Sequence, residues 1–593
     1  MVSRSMTVNG FRAAIAGLGL VSSIALAPAA FAQSGDLVAR YDANVGHSDT
    51  VPTVLNADER EFYRDLFNAI DREQWEQVEA QLKRREGGVL HQVATAEYYT
   101  HANSPRVSAE QVAKWFEAGA DLPQAEQLAR IGANRGLTQT PYIPQAQSFA
   151  RQPTSPKRIL PRSIDDGSIS ASRKQSILDR IVADDPAGAH AILTEIDPQL
   201  SSAARAEWRQ RVAWSYYIEN DDQNALALAE TVSEGSGPWV AEGEWVAGLA
   251  AWRMGYCALS GEAFQRSAAS STNSELTAAA HYWAHRSLIR CREPEAAQQQ
   301  LQAAANYDET LYGMLAIDQL GIEVPANAPA PGFDRVDWDT LSDRSNIRVA
   351  VALTEIGRPG LADEVLRHEA RTGRGRDYPA VARLARDLGL PATQLFMASY
   401  APYGMQADPS LRFPLAHWQP TTGWSVDPSL AFAHALQESN FRARAVSPAN
   451  ARGLMQITPI TVREHAPRLN MSASYVNLDD PEVNLAFGQR NLEMLRDSAA
   501  TQGRLPKIMA AYNAGLSPVD RWNTEINDQN DPLLWIESIP YWETRGYVAI
   551  VMRNYWMYER AAGTPSPSRR ALAQGLWPEF PRPYRARSAQ LDQ

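Results

Sequence analysis

Asp427-Pro428-Ser429-Leu430-Ala431-Phe432-Ala433-His434-Ala435-Leu436-Gln437-Glu438-Ser439-Asn440-Phe441 reads as one helix with its start signal attached. Asp427 is placed to cap it, and Pro428 fits the first helical position, where a missing N–H is no loss. About three turns later the chain reaches Glu438 at the C-terminal, partly negative helix end. The dipole there disfavours a second negative charge and so favours the neutral acid. A neutral carboxylic acid near pH 7 is what protonation of a leaving oxygen requires. Taken alone, Glu438 also reads as a solvated glutamate at a fraying helix end.

Upstream, the chain is helical almost throughout. Glu61 to Ile70 carries apolar residues at three- and four-residue spacing, and Leu122-Pro123-Gln124-Ala125 opens another helix. Between Arg173 and Gly321 a rough repeat emerges. Trp214 is followed eleven residues on by Ala225, and Trp252 eleven on by Ala263, through Glu219-Asn220-Asp221-Asp222 and Ala258-Leu259-Ser260-Gly261, both read as turns. A weaker third copy has Arg286, Glu293-Pro294-Glu295 and Ala297. This spacing suits stacked helix–turn–helix pairs of the TPR kind, in which an aromatic fills a groove and a small residue allows close approach. The expected fold is therefore mainly α. An α-superhelix precedes a compact C-terminal domain opened by the Asp427 helix.

Boundaries follow from composition. Residues 33–136 form an N-terminal helical segment, and 137–172, with Pro141, Pro144, Pro153, Pro156 and Pro161, read as a mobile insertion or linker. The superhelix continues over 173–400, broken at Pro329-Ala330-Pro331-Gly332. Residues 401–426 are a linker rich in Pro, Gly and Trp, 427–563 the compact domain, and 564–593 an arginine-bearing tail, docked or partly disordered. Arg4 and Arg12, an apolar run from Ala13 to Leu26, and Ala30-Phe31-Ala32 have the form of a secretory signal peptide over 1–32, which implies export to the periplasm. No later stretch is long and apolar enough for a membrane span. Of 593 residues only Cys257 and Cys291 are cysteines; they can pair across adjacent hairpins or remain buried thiols. The net charge of −11 argues against nucleic acid as a partner, because phosphate neutralisation needs a basic surface.

Downstream of Glu438 run Ser447-Pro448-Ala449-Asn450-Ala451-Arg452-Gly453-Leu454-Met455-Gln456-Ile457-Thr458-Pro459, then Ala510-Ala511-Tyr512-Asn513-Ala514-Gly515, then Ile539-Pro540-Tyr541-Trp542-Glu543-Thr544-Arg545-Gly546-Tyr547-Val548. In this order, after Glu438-Ser439-Asn440-Phe441, they resemble the soluble lytic transglycosylases of the goose-type-lysozyme-like group. Thr310-Leu311-Tyr312-Gly313 and Gln319-Leu320-Gly321 resemble the end of that family's helical domain more loosely. The resemblance implies a lysozyme-like α+β domain seated on a ring-like superhelix, with Glu438 as the single catalytic acid/base. Ser447, Met455, Gln456, Tyr512, Asn513, Glu543 and Arg545 match positions that bind the glycan: Ser447 near the acid, Tyr512 near the acid or the sugar, and Glu543 toward the stem peptide. Thr458 departs from the pattern, where a methionine often stands.

The residues themselves constrain these roles. Thr458-Pro459 starts a helix, so 453–457 is expected to be a short extended segment from which Gln456 offers its amide to sugar hydroxyls. Gly515 suits the end of a helix begun at Pro506, and Asn513 also reads as a local turn residue. Tyr512 also reads as a core tyrosine, and Arg545 as the partner of a neighbouring carboxylate. Asp479 and Asp480 are explained as the cap of a helix opening at Pro481. That leaves one carboxylate where ordinary glycosidases use two. The resemblance supplies the rest: the 2-acetamido group and C6 hydroxyl of N-acetylmuramic acid stand in for the partner, giving a 1,6-anhydro end without water. His434 and Glu438 are four apart, but no second histidine follows at a zincin spacing, so His434 reads as a packing residue and neither metal nor cofactor is expected. Peptidoglycan glycan strands are the expected partner, with other cell-wall enzymes through the helical array. The competing functions are a hydrolytic muramidase and a non-catalytic scaffold.

Overall fold

The computed structural model describes residues 51–581 apart from 86, 140–141 and 325–330. The leader expected at 1–32, Pro329 and Ala330 of the break, and Arg582, Arg585 and Arg587 of the tail lie outside the described residues.

Helical hairpins occupy the repeat region. Ser202–Ile218 pairs with Asp222–Glu230, Trp239–Arg253 with Cys257–Ser270, and Ser274–Arg290 with Pro294–Ala305. Ala225, Ala263 and Ala297 are fully buried, as close helix approach demands. The turns carry left-handed residues, Asn220, Gly255 and Arg292. One turn differs from expectation. In the second hairpin it falls at 254–256, and Ala258 to Gly261 lie inside a helix, where buried Ser260 donates to the Gly248 carbonyl at 2.9 Å. Ser260 is a polar residue whose hydroxyl is satisfied internally, so its polarity marked no turn. Cys257 and Cys291 form a disulfide that ties this hairpin to the next.

Among the described residues two large cores emerge, and they do not follow the linear division of the chain. The N-terminal helices from Ala57–Asp71 to Ala125–Asn134 pack with helices between Arg335–Leu341 and Pro391–Ser399. Glu355 accepts the Val54 and Leu55 amides at 2.6 and 3.0 Å, and Arg358 pairs with Asp71 at 2.6 Å. The helices from Ala171–Val182 to Leu311–Gln319 share a second core with the C-terminal domain. Tyr312 donates to Glu537 at 2.7 Å across that junction. Gly313 beside it admits no side chain, since a Cβ would stand 1.9 Å from the Tyr307 carbonyl oxygen.

The Pro-rich stretch joins these bodies, and the expected mobile linker is corrected here. Strand β1, Phe149–Arg151, pairs antiparallel with β2, Tyr400–Pro402. The Gln147 and Gln152 amides donate to Arg371 and Ser399 carbonyls, each at 2.9 Å. Further on, Arg158 enters between the two halves of the second core. It pairs with Glu242 at 2.8 Å and Glu537 at 3.7 Å, with its guanidinium 4.6 Å from the Trp245 ring centre. Prolines keep the backbone extended, and its polar groups are satisfied sideways by neighbours far along the chain. Composition reveals the missing helix but not those lateral partners.

The N-terminal body also reaches the C-terminal domain: Arg444, just past Glu438, pairs with Glu97 at 3.4 Å and Glu364 at 3.8 Å. A cavity of about 950 Å³ lies beside this contact, lined in part by Glu97, His101, Trp418 and Asp479. The described part of the tail is docked. Helix Pro567–Ala573 packs on Leu311–Gln319, and the Leu505 amide donates to the Pro578 carbonyl at 2.8 Å.

Candidate functional site

Helix Pro428–Ser439 forms as its sequence dictates. Asp427 caps it by accepting the Ser429 amide at 2.9 Å, and Tyr555 donates to the same carboxylate at 2.8 Å. The face bearing Leu430, Ala431, Phe432 and Ala435 is fully buried. Directly after Ser439 the chain reverses through two left-handed residues, Asn440 and Phe441. Asn adopts that conformation at little cost, and Phe441 holds it because its ring is buried against Phe432. Glu438 is thereby fixed at the helix end with its carboxyl half-buried.

Its principal partner is Tyr547, whose hydroxyl donates to Glu438 Oε1 at 2.7 Å. Tyr547 stands on helix Trp542–Ala561, one turn after Glu543. Burial pushes the Glu438 carboxyl up to about 7; the Tyr547 bond opposes this, and the Glu543 charge reinforces it. The neutral acid anticipated from the helix dipole is thus favoured chiefly by desolvation, the stronger effect for a carboxyl walled by aromatic rings. Tyr547 sits in a motif noted in the sequence but was not singled out there. Its signal is the four-residue spacing from Glu543, which sets both on one helix face.

The remaining candidates divide. Tyr512 lies in the wall: its ring centre is 4.6 Å from His434 and its plane is within 9° of Tyr547, while its hydroxyl donates to the Met455 carbonyl at 2.7 Å. Met455 contributes that carbonyl, but its own side chain is fully buried against Gly488, where a Cβ would stand 2.0 Å from the sulfur. Asn513 accepts from the Thr544 hydroxyl at 2.6 Å and ties the Tyr512 helix, Leu505–Ala514, to the Tyr547 helix. Ser447 closes a small loop, its Oγ accepting the Ala451 amide at 3.1 Å.

Two expectations need correction. Residues 453–457 are a tight turn, with Gly453 and Gln456 left-handed and Arg452 bridging Ile457. The cause is Asn484 on helix Pro481–Asp497, a residue with no local signal. It accepts the Met455 amide and donates to the Arg452 and Leu478 carbonyls, each at 2.9 Å. Gln456 turns its amide N–H groups onto the Gly453 and Ala445 carbonyls at 2.9 and 3.3 Å, so they serve the loop and not a sugar. Arg545 faces away from the acid. It lies 4.1 Å over Trp214 of the solenoid and donates to the Glu537 carbonyl at 3.1 Å, burial holding its guanidinium down to about 10. Two positions from both Glu543 and Tyr547, it falls on the opposite helix face.

As anticipated, Asp480 caps helix Pro481–Asp497, accepting the Glu482 amide at 2.9 Å, and Thr458 caps Pro459–His465. Glu543, exposed on the Tyr547 helix, is the carboxylate whose charge reaches Glu438. Among the described residues no cluster of His, Cys, Asp and Glu suits a metal, and no helix is long and apolar enough to cross a membrane.

Fold and site together define a helical-hairpin superhelix bearing a lysozyme-like domain, with a half-buried, tyrosine-bonded acid at the end of helix Pro428–Ser439. Residues 418–534 match the transglycosylase SLT domain family, a span holding Glu438 and Tyr512 but ending before Glu543 and Tyr547. The chain is 36% identical to the soluble lytic murein transglycosylase of Escherichia coli K12 over 148 residues, 24% of this chain and 22% of that protein. It is 35% identical to that of Salmonella typhimurium over 159 residues, 26% and 24% of the two chains. The crystal structure of the 70 kDa soluble lytic transglycosylase of E. coli aligns with a TM-score of 0.51 at 17% identity, covering 89% of this chain and 100% of that one. A 70 kDa soluble lytic transglycosylase in complex with bulgecin A aligns with a TM-score of 0.50 at 18% identity, covering 89% of this chain and 100% of that one. The chain thus carries an SLT domain over 418–534 and is similar in fold to the soluble lytic transglycosylases. It spans less than half the length of the curated relatives it matches.

Proposed function

We propose that the protein is an exported peptidoglycan lytic transglycosylase of the periplasm, cleaving the β-1,4 bond between N-acetylmuramic acid and N-acetylglucosamine without water. The observation that carries this reading is the half-buried Glu438 carboxyl at the helix end, pushed up to about 7 and bonded by Tyr547 through one of its two oxygens. With Tyr547 donating to Oε1, the proton of the neutral acid resides on Oε2. Glu438 gives it to the glycosidic oxygen as the bond breaks, and the sugar's 2-acetamido group stabilises the cationic C1. The carboxylate then takes the proton of the C6 hydroxyl, which attacks C1 and closes the 1,6-anhydro ring. Tyr547 steadies the carboxylate between these two steps. The charge of Glu543 disfavours lasting ionisation and so favours that second proton transfer, which restores the acid form of Glu438.

Ser447, Tyr512 and Glu543 line the cleft on this reading, and Arg545 and Met455 hold its walls. Other cell-wall enzymes are partners the helical array is suited to hold. Glu438→Gln separates an enzyme from a scaffold: the variant is expected to keep binding sacculi and to lose turnover. Retained turnover refutes the assignment of the acid.

A further inference from the structure

His434 lies one turn before Glu438 on the same helix, is fully buried, and has no part in the chemistry above. Its Nδ1 is 2.8 Å from the Tyr547 hydroxyl oxygen. A tyrosine hydroxyl has one proton to donate. Once that proton is on Glu438 Oε1, the bond to His434 must run from Nδ1–H to the tyrosine oxygen. The other ring nitrogen agrees with this direction, because Nε2 is buried with no partner among the described residues. As a bare lone pair it is tolerable in a core, whereas an orphaned N–H is rare. The opposite tautomer would strand that N–H and turn the tyrosine proton away from the acid.

We propose that His434 is a positioning residue of the transglycosylase reaction: its Nδ1–H locks the Tyr547 proton onto Glu438 Oε1 and leaves Oε2 as the oxygen that exchanges a proton with the sugar. This rests on the reading of Glu438 as acid and base. The imidazole stays neutral throughout, since burial pushes it down to about 3. The ionisable groups acting on Glu438 are Tyr547 and Glu543 from one helix, with Tyr512 facing it from another. Helix Pro481–Asp497, which also packs against the acid helix, brings none that bears on it.

A hydrogen bond to Oε1 favours the carboxylate, so loosening it raises the pH at which the acid ionises. In the full-length protein, His434→Leu is expected to move the alkaline limb of the turnover profile upward by roughly half a pH unit, and Tyr547→Phe by about one unit. The double variant moves it no further than Tyr547→Phe, because one bond is lost by either route. His434→Asn, whose amide N–H reaches the place of Nδ1, restores the wild-type limb. A purely structural histidine would lower stability and leave the limb in place, and that result, or additive shifts in the double variant, overturns the proposal. Nitrogen-15 spectra of histidine-labelled wild-type protein test it without any folding risk: His434 should be the neutral Nδ1–H tautomer from pH 5 to 8, and an Nε2–H form refutes it. If Glu438→Gln abolishes turnover while His434→Leu leaves the limb unmoved, only the histidine's role fails. If Glu438→Gln is active, the underlying reading fails.

Discussion

Replacing Glu438 by glutamine should stabilise the folded protein, by an amount that depends on pH in a defined way. The carboxyl ionises near 4.5 in an unfolded chain and at about 7 in the folded one. Between those values the unfolded chain releases a proton that the folded chain keeps, so stability falls as pH rises through the window. Each pH unit costs the folded state about 1.4 kcal/mol, which sets a ceiling of roughly 3 kcal/mol. The carboxyl is partly open to solvent, so about 1–2 kcal/mol is the working figure. Glutamine has no such titration, and its amide oxygen can still accept from Tyr547. Urea midpoints of wild type and Glu438→Gln, followed at pH 4, 5, 6, 7 and 8, should therefore diverge above pH 4.5 and run parallel again above about 7, with the variant more stable. Parallel curves across the whole range would mean that the acid is not buried in its charged form, and the case for a neutral acid at pH 7 would fall.

Other outcomes follow from the same geometry. Glu543→Gln removes a like charge acting on Glu438, so the alkaline limb of the turnover profile should move down by a few tenths of a pH unit; an upward shift contradicts the assigned repulsion. Arg545→Leu should cost on the order of 2–4 kcal/mol in urea titrations, because it strips a buried cation from Trp214 and the Glu537 carbonyl, while leaving that limb where it is. A moved limb would instead tie Arg545 to the acid. Replacing Cys257 and Cys291 together by serine frees a closure spanning 34 positions and should lower stability by about 3 kcal/mol, visible as a lower urea midpoint that reductant no longer changes.

What the sequence disclosed was local. The cap at Asp427, the caps at Thr458 and Asp480, and the hairpin alanines 225, 263 and 297 all follow from spacing along one helix, and the structure has them. What it withheld was lateral. Asn484 shapes the Gly453–Ile457 turn from some thirty residues away, and Arg158 crosses into a junction made by residues more than eighty and nearly four hundred positions on. Arg545 shows the same limit: its motif is contiguous, but a helix sends residues two apart to opposite faces, so Tyr547 meets the acid and Arg545 meets the solenoid. Glu438 itself was ambiguous from its own helix, because burial, the dominant cause of its shifted acidity, comes from rings brought in by two other helices.

The central claim is that one acid, serving also as base, closes an anhydro ring on the N-acetylmuramic acid as the next sugar departs. Mass spectrometry of peptidoglycan sacculi digested by the full-length protein measures this directly. The account predicts muropeptides ending in 1,6-anhydro-N-acetylmuramic acid, absent from a Glu438→Gln digest. Hydrated reducing ends, heavier by one water, would contradict it.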